Sequence, residues 1–509
     1  MQPAAQAAYK CNVHQVAWKS LHALGSQLSR PRTAPRSQHF LIIYIRNSKM
    51  LRGDLSNLRR GGGASSSRAG SFRGSWRGGR GGWRQGKDQT PKKIEDATPL
   101  GRLITEFTLE NLTKSTASTG DARITDCSYA ASYSLDDKKP FKIIVPGQPA
   151  TWKTPPLPCK LPGDSGDYMR DQNGARFPDH PIQPAVQALF TLNEGFVPSS
   201  IDIMGCASSL GDILRFARSI DSTFRFNAEM IGNTLFLIRN CKSTIIPDVR
   251  GYGHSFLEAF TSSDLDYTTI KSHQRVVRYN FGGLKCLVRF ECDGYLTSYD
   301  GCKTVVTEPQ FDLSPLPPSS IAIQKSGMKV PQDSILEIKT KSQAWGEIQK
   351  GDHLPRLWIR QIPNFVTAYH DRGTFQDVQV SNLRKDLADW ETRHQDDLER
   401  FATILHDLIT EVKRASHLKL EIYRAGTGPL QLREREDATG QALPSSWRDR
   451  WAAMPQPSSE PPTNRDDSDE DSDTYPLRRV SSESDSSADD FSFDYTACSI
   501  DCGYCGHCT

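Results

Sequence analysis

Ser334-Ile335-Leu336-Glu337-Ile338-Lys339-Thr340-Lys341 is the stretch on which the reading of this chain turns. Ile335, Leu336 and Ile338 suit a pleated, buried surface, so the run reads as a strand. Side chains at i and i+2 leave a strand from the same face, which sets Glu337 beside Lys339. Taking two charges out of water costs several kcal/mol each unless partners or a metal compensate. From this stretch alone, a surface ion pair on an edge strand and a functional pair are equally good readings.

A second stretch tips the balance. Leu287-Val288-Arg289-Phe290-Glu291-Cys292-Asp293-Gly294 is again strand-like, and it ends in Glu-x-Asp before a glycine turn. Its two carboxylates share one face. Oxygen ligands from separate strands are what a hard divalent cation such as Mg²⁺ requires. A lysine beside them can orient a water or offset charge developing on a phosphate. Together the two stretches form a constellation suited to phosphodiester hydrolysis.

Working outward, the chain has 509 residues, 37% of them hydrophobic, enough for one large domain or two. The net charge of +3 conceals a basic start and an acidic end. Twelve cysteines are scattered, with a dense cluster only at the end. There is no signal-peptide pattern and no apolar run of about 18 residues, so no membrane span and an intracellular, reducing setting are expected. Residues 1–53 carry Lys and Arg but no Asp or Glu. That composition suits a mitochondrial transit peptide, a tail, or untranslated sequence ahead of a start at Met50.

Residues 59–84 are low in complexity, with Arg73, Arg77, Arg80 and Arg84 among glycines and Trp76 and Trp83 interleaved. Guanidinium charge tracks phosphates, and aromatic faces stack on unpaired bases. An RNA-contacting tail is favoured over a solubilising linker. The expected divisions are a disordered basic region (1–95), a nuclease-like domain (96–430), a disordered acidic tail rich in Ser and Pro (431–497) and a Cys-rich motif (498–509).

Within the central domain, Phe141-Lys142-Ile143-Ile144-Val145 reads as a strand, and residues 154–181 as a long ordered loop. Ser208 or Ser209 is expected to cap a helix whose apolar face is Leu210, Ile213, Leu214 and Phe216. Residues 224–230 and 234–238 form a hairpin. Gly251-Tyr252-Gly253 opens a short helix bearing Phe256 and Glu258. A polar excursion (303–333) precedes the Glu337 strand. A helix ends at Gln361 ahead of Pro363, and a hairpin follows over 365–380. Apolar positions from Leu383 to Val412 mark one long amphipathic helix over 382–414, whose stripe is core packing, and 418–423 is a last strand. Mixed in this way, the elements predict an α+β (mixed α/β) fold, a mixed β-sheet flanked by helices.

In that order, residues 197–380 resemble the decapping exoribonuclease (DXO-like) family of the PD-(D/E)XK nuclease superfamily, in a divergent fungal branch. The resemblance rests on Asp202-Ile203 and the apolar helix after it, Gly251-Tyr252 with Phe256-Leu257-Glu258, Glu291-Cys292-Asp293, Glu337-Ile338-Lys339-Thr340, and Trp358, Gln361, Pro363 and Asn364. It implies a metal-dependent hydrolase acting on incompletely or non-classically capped RNA 5′ ends in mRNA quality control. Glu258, Asp293, Glu337 and the Ile338 carbonyl would ligate Mg²⁺ or Mn²⁺. Glu291, Lys339 and Gln361 would be catalytic. Where the family has an arginine, this chain has Ala207, and Arg215, Arg218 and Lys271 are the candidates to replace it. That departure keeps a second reading open, a catalytically weak scaffold that binds RNA or a 5′–3′ exoribonuclease. The expected location is nuclear, with cytoplasm and mitochondrion as alternatives.

His254 and His273 lie near the site in sequence and suit either a phosphate contact or a structural role. Cys498, Cys502, Cys505 and Cys508 supply enough thiolates for a tetrahedral Zn²⁺. Their crowding into so few residues leaves redox chemistry, lipid modification or an unoccupied tail as alternatives.

Overall fold

Near-continuous runs of buried side chains, such as those of Ile203–Cys206, Phe224–Ile231 and Thr234–Arg239, build a large sheet covered on both faces. The computed structural model describes residues 99–112, 122–239, 245–262, 270–299, 301–435 and 440–453, all within one compact unit, Thr90–Thr509. The Arg/Gly segment with Arg73, Trp76, Arg77, Arg80, Trp83 and Arg84, the acidic tail beyond 453, and Cys498, Cys502, Cys505 and Cys508 lie outside the described residues.

Among the described residues the large sheet has eleven strands. Its middle runs Phe224–Ile231, Thr234–Arg239, Ile203–Cys206, Leu284–Glu291, Ile270–Phe281 and Ile124–Asp136. A second, seven-stranded sheet carries Gly294–Tyr295, Ile335–Ser342, Asn364–Asp371 and Thr374–Asn382 as successive neighbours. Parallel and antiparallel pairs occur in both. The expected α+β class is what the chain adopts, with helices flanking mixed sheets.

Both faces of the large sheet are covered. One packs on the helices Ala207–Ala217, Leu354–Arg360 and Gln395–Arg414, through residues such as Ile213, Leu357, Phe401 and Leu405. The other packs on Gln183–Leu192 and Ser445–Ala452, through Val186, Leu189, Trp447 and Trp451. A third cluster, Phe256, Phe260, Leu336, Val366 and Phe375, joins the helix Gly253–Phe260 to the smaller sheet. Among the described residues no helix is long and apolar enough to cross a membrane.

Several expectations change in detail. The helix at 207 begins with Cys206 as its cap residue and without a side-chain cap, so neither Ser208 nor Ser209 plays that role. Residues 382–414 form two helices, Arg384–Arg393 and Gln395–Arg414, because His394 departs from helical geometry at φ −112° and ψ 28°. Each keeps part of the apolar stripe. Packed structure also runs past 430, through Leu430–Glu434 and Ser445–Ala452, where Trp447 and Trp451 are buried.

Candidate functional site

The two decisive stretches meet where the chain passes from one sheet to the other. Glu291 closes its strand opposite Gln274 in the large sheet, and the Cys292 N–H donates to the His273 carbonyl at 2.9 Å. Two residues later Gly294 and Tyr295 pair with Leu336 and Ile335 in the smaller sheet. A Cβ at Gly294 would stand 2.8 Å from the Ala150 carbonyl oxygen, so only glycine fits the crossing. Asp293 lies between the sheets, and its Oδ2 accepts the Ile338 N–H at 2.8 Å. Glu-x-Asp and Glu-x-Lys are thereby brought side by side.

A cleft of about 700 Å³ opens at this seam, lined by Glu258, Glu291 and Asp293 together with Arg239, Arg289, Arg356 and Arg360. Glu258 comes from the helix Gly253–Phe260, whose first amides, at His254 and Ser255, donate to Asp164 at 3.0 and 2.9 Å. Asp164 belongs to the long loop, which therefore holds this wall in place. The protein around Glu291 pushes its carboxyl up to about 7, mainly by desolvation and then through the neighbouring charges of Asp293 and Asp171. Ser272 and Arg289 oppose that shift, and the side chain still opens onto solvent in the cleft. Desolvation also raises Asp293, against the Ile338 N–H, Arg356, Arg360 and Lys339.

Glu337 is 1% exposed, and it does not line the cleft. Arg356 and Arg360 stand one turn apart on the helix Leu354–Arg360 and close over it. Arg360 Nη1 donates to Glu337 Oε2 at 3.0 Å, and Arg356 Nη2 pairs with Oε1. Lys339 is buried near Asp293 and near His353, whose imidazole is held down to about 3 by burial and then by Lys339 and Lys341. Gln361 takes a left-handed conformation (φ 52°) as the helix cap, and its Nε2 donates to the Trp358 carbonyl at 2.6 Å. Its side chain turns back on its own helix and does not line the cleft.

These placements test the expected metal set directly. Ligation by Glu258, Asp293, Glu337 and the Ile338 carbonyl needs free carboxylate oxygens converging on one point. Both Glu337 oxygens face guanidinium groups instead. Among the described residues, no three acidic, His or Cys side chains stand together in a group able to hold a metal. The residues present do not fit Mg²⁺ or Mn²⁺ at this centre.

All five arginines of the cleft, Arg170, Arg239, Arg289, Arg356 and Arg360, escaped the sequence reading. Arg356 and Arg360 were visible as a like-charged i, i+4 pair, an arrangement that favours an anion between the two. Arg289 shares a strand face with Glu291. It donates to Cys206 Sγ at 2.7 Å and to Gln274 Oε1 at 2.9 Å, which places a cation next to Ala207. Arg218 instead pairs with Asp397 at 3.7 Å, and neither it nor Arg215 lines the cleft; the Lys271 side chain lies outside the described residues. His254 stacks on Tyr168 at 3.8 Å, and His273 Nδ1 meets Ser134 Oγ at 2.9 Å. Both line the cleft, and burial lowers the pKa of each, for His273 to about 3.

Residues 105–426 match a family model described as Domain of unknown function (DUF8563). No curated protein matches the sequence. Among solved structures, the chain is similar to S. pombe Rai1 in complex with 3′-FADP, at 11% identity and a TM-score of 0.43, over 65% of this chain and 99% of that one. It is similar to Candida albicans Rai1 in complex with pU5-Mn²⁺, at 12% identity and a TM-score of 0.43, over 68% and 98%. K. lactis Dxo1 in complex with manganese gives 10% identity and a TM-score of 0.38, over 67% and 98%.

Proposed function

The chain belongs to the family described as Domain of unknown function (DUF8563), and from that premise we propose that it acts on RNA 5′ ends. In this reading the cleft takes the terminal phosphates of uncapped, incompletely capped or non-classically capped RNA and hydrolyses the bond that joins them. One observation supports it above the others: a single cleft sets five arginines against four carboxylates, Arg170 and Asp171 among them. Guanidinium forks match phosphate oxygens two at a time, which suits Arg239 and Arg289 to hold the end. Arg356 and Arg360 add positive charge where a phosphoryl group would gain negative charge in reaction. Glu291, beside Asp293, is the group to take a proton from an attacking water. The Arg/Gly segment would hold the RNA body by charge and stacking.

A second reading, binding of an RNA end or of an exoribonuclease without turnover, is favoured by the two arginines on Glu337 and by Ala207. One assay on the full chain separates the two. RNAs bearing a 5′-triphosphate, an unmethylated cap, an NAD cap or a 5′-monophosphate are each incubated with wild type and with Glu291→Gln. Hydrolysis predicts a 5′-end product whose rate falls by roughly a hundredfold or more in the variant while binding persists. End-dependent binding without product would select the second reading. Absence of both would contradict the assignment to RNA ends.

A further inference from the structure

The positive charge at the heart of the seam comes from the protein itself. Glu337 and Asp293 bring two carboxylates there, and Arg356, Arg360 and Lys339 all act on them. The arginine side chains are only 11% and 14% exposed. Their helix is anchored on its far side by Leu357, Trp358 and Ile359, each 2% exposed or less. Trp358 Nε1 donates to Glu391 Oε1 at 2.9 Å, and Gln332 Nε2 donates to the carbonyls of Arg360 and Gln361 at 3.1 and 2.9 Å. A helix held in this way keeps the backbone of Arg356 and Arg360 fixed over Glu337.

We propose that Arg356 and Arg360 occupy the place of a divalent cation between Glu337 and Asp293, so that the centre is complete without metal. Both arginines also line the cleft, so the same charges would face a phosphorylated RNA end. This second part rests on the 5′-end reading above. Both Glu337 oxygens already face guanidinium groups, and guanidinium cannot be deprotonated to make room for Mg²⁺ or Mn²⁺. Arginine here performs electrostatically what a metal would, with fixed geometry and no exchange.

The test uses the full chain and Mn²⁺ alone, followed by its paramagnetic resonance signal. Wild type is expected to show no Mn²⁺ binding that Asp293→Asn removes. The Arg356→Met/Arg360→Met variant is expected to gain one bound Mn²⁺ per chain, tighter than any in wild type by roughly tenfold or more. Adding Asp293→Asn to that variant should abolish the gain. Wild-type Mn²⁺ binding that Asp293→Asn abolishes, in a variant that keeps its circular dichroism, would overturn the proposal even if the double variant fails to fold. In parallel, binding of 5′-triphosphorylated RNA should be equal in EDTA and in Mn²⁺. If that RNA binds no better than its 5′-hydroxyl counterpart in either condition, the 5′-end reading fails while the Mn²⁺ result still stands.

Discussion

At the scale of single residues, Glu337 organises the seam because it is buried with two opposite charges pressed on it. Removing one member of such a group leaves the others desolvated and uncompensated. Glu337→Ala should therefore cost about 3–5 kcal/mol in urea unfolding, against a fraction of that for an exposed carboxylate such as Glu434, paired with Arg102 at the surface. Equal losses at the two positions would contradict the buried arrangement. The two histidines at the seam give a pH signature. His273 and His353 each titrate near 3 in the fold, against an ordinary value of 6.5. Between those limits the unfolded chain binds more protons, so stability rises with pH through the window and is lost as pH falls through it. Melting temperatures between pH 7 and pH 4 should fall less steeply for His353→Gln than for wild type; parallel slopes would show that His353 is not held neutral.

Among elements, the crossing from one sheet to the other carries the most consequence. Gly294→Ala forces a Cβ against the Ala150 carbonyl, and the strand must shift to admit it. Because Asp293 precedes it, we expect the variant to fold with lowered stability and to lose end-dependent RNA binding together. Full binding by the variant would mean that Asp293 tolerates displacement. The helix Ser445–Ala452 offers a second check. Trp451 is 2% exposed, packs on Phe190, Phe196 and Phe236, and donates to Thr234 Oγ1 at 2.9 Å. Trp451→Ala should cost about 3–5 kcal/mol. A chain ended at 430 should be far less stable than one ended at 453, as thermal melting would show.

The same elements show what the sequence could reveal. Strands at 284–291 and 335–342 and the hairpin at 364–382 were legible because short β-branched runs bounded by glycine or proline announce themselves. So were the two carboxylate stretches, since their i, i+2 spacing fixes a shared face. The break at His394 was hidden, because the apolar stripe continues across it. The long strand Ile124–Asp136 was missed for a related reason: its first half is largely exposed and its second buried, so no simple alternation runs through it. The arginines on Glu337 were the costliest omission. Their helix was recognised, but which strand it would face depends on packing between distant parts of the chain.

For the molecule as a whole, the cleft at the seam is proposed as a receptor for phosphorylated RNA ends. The Arg/Gly segment is expected to bind RNA whatever its terminus, so total affinity is a poor guide. The decisive measurement compares one oligonucleotide in two forms, 5′-triphosphate and 5′-hydroxyl, by fluorescence anisotropy with the full chain and with Arg289→Gln. Wild type is expected to prefer the triphosphate by roughly tenfold or more, about 1.4 kcal/mol, and Arg289→Gln to lose most of that preference while retaining its affinity for the hydroxyl form. Equal affinity of wild type for the two ends would contradict that proposal.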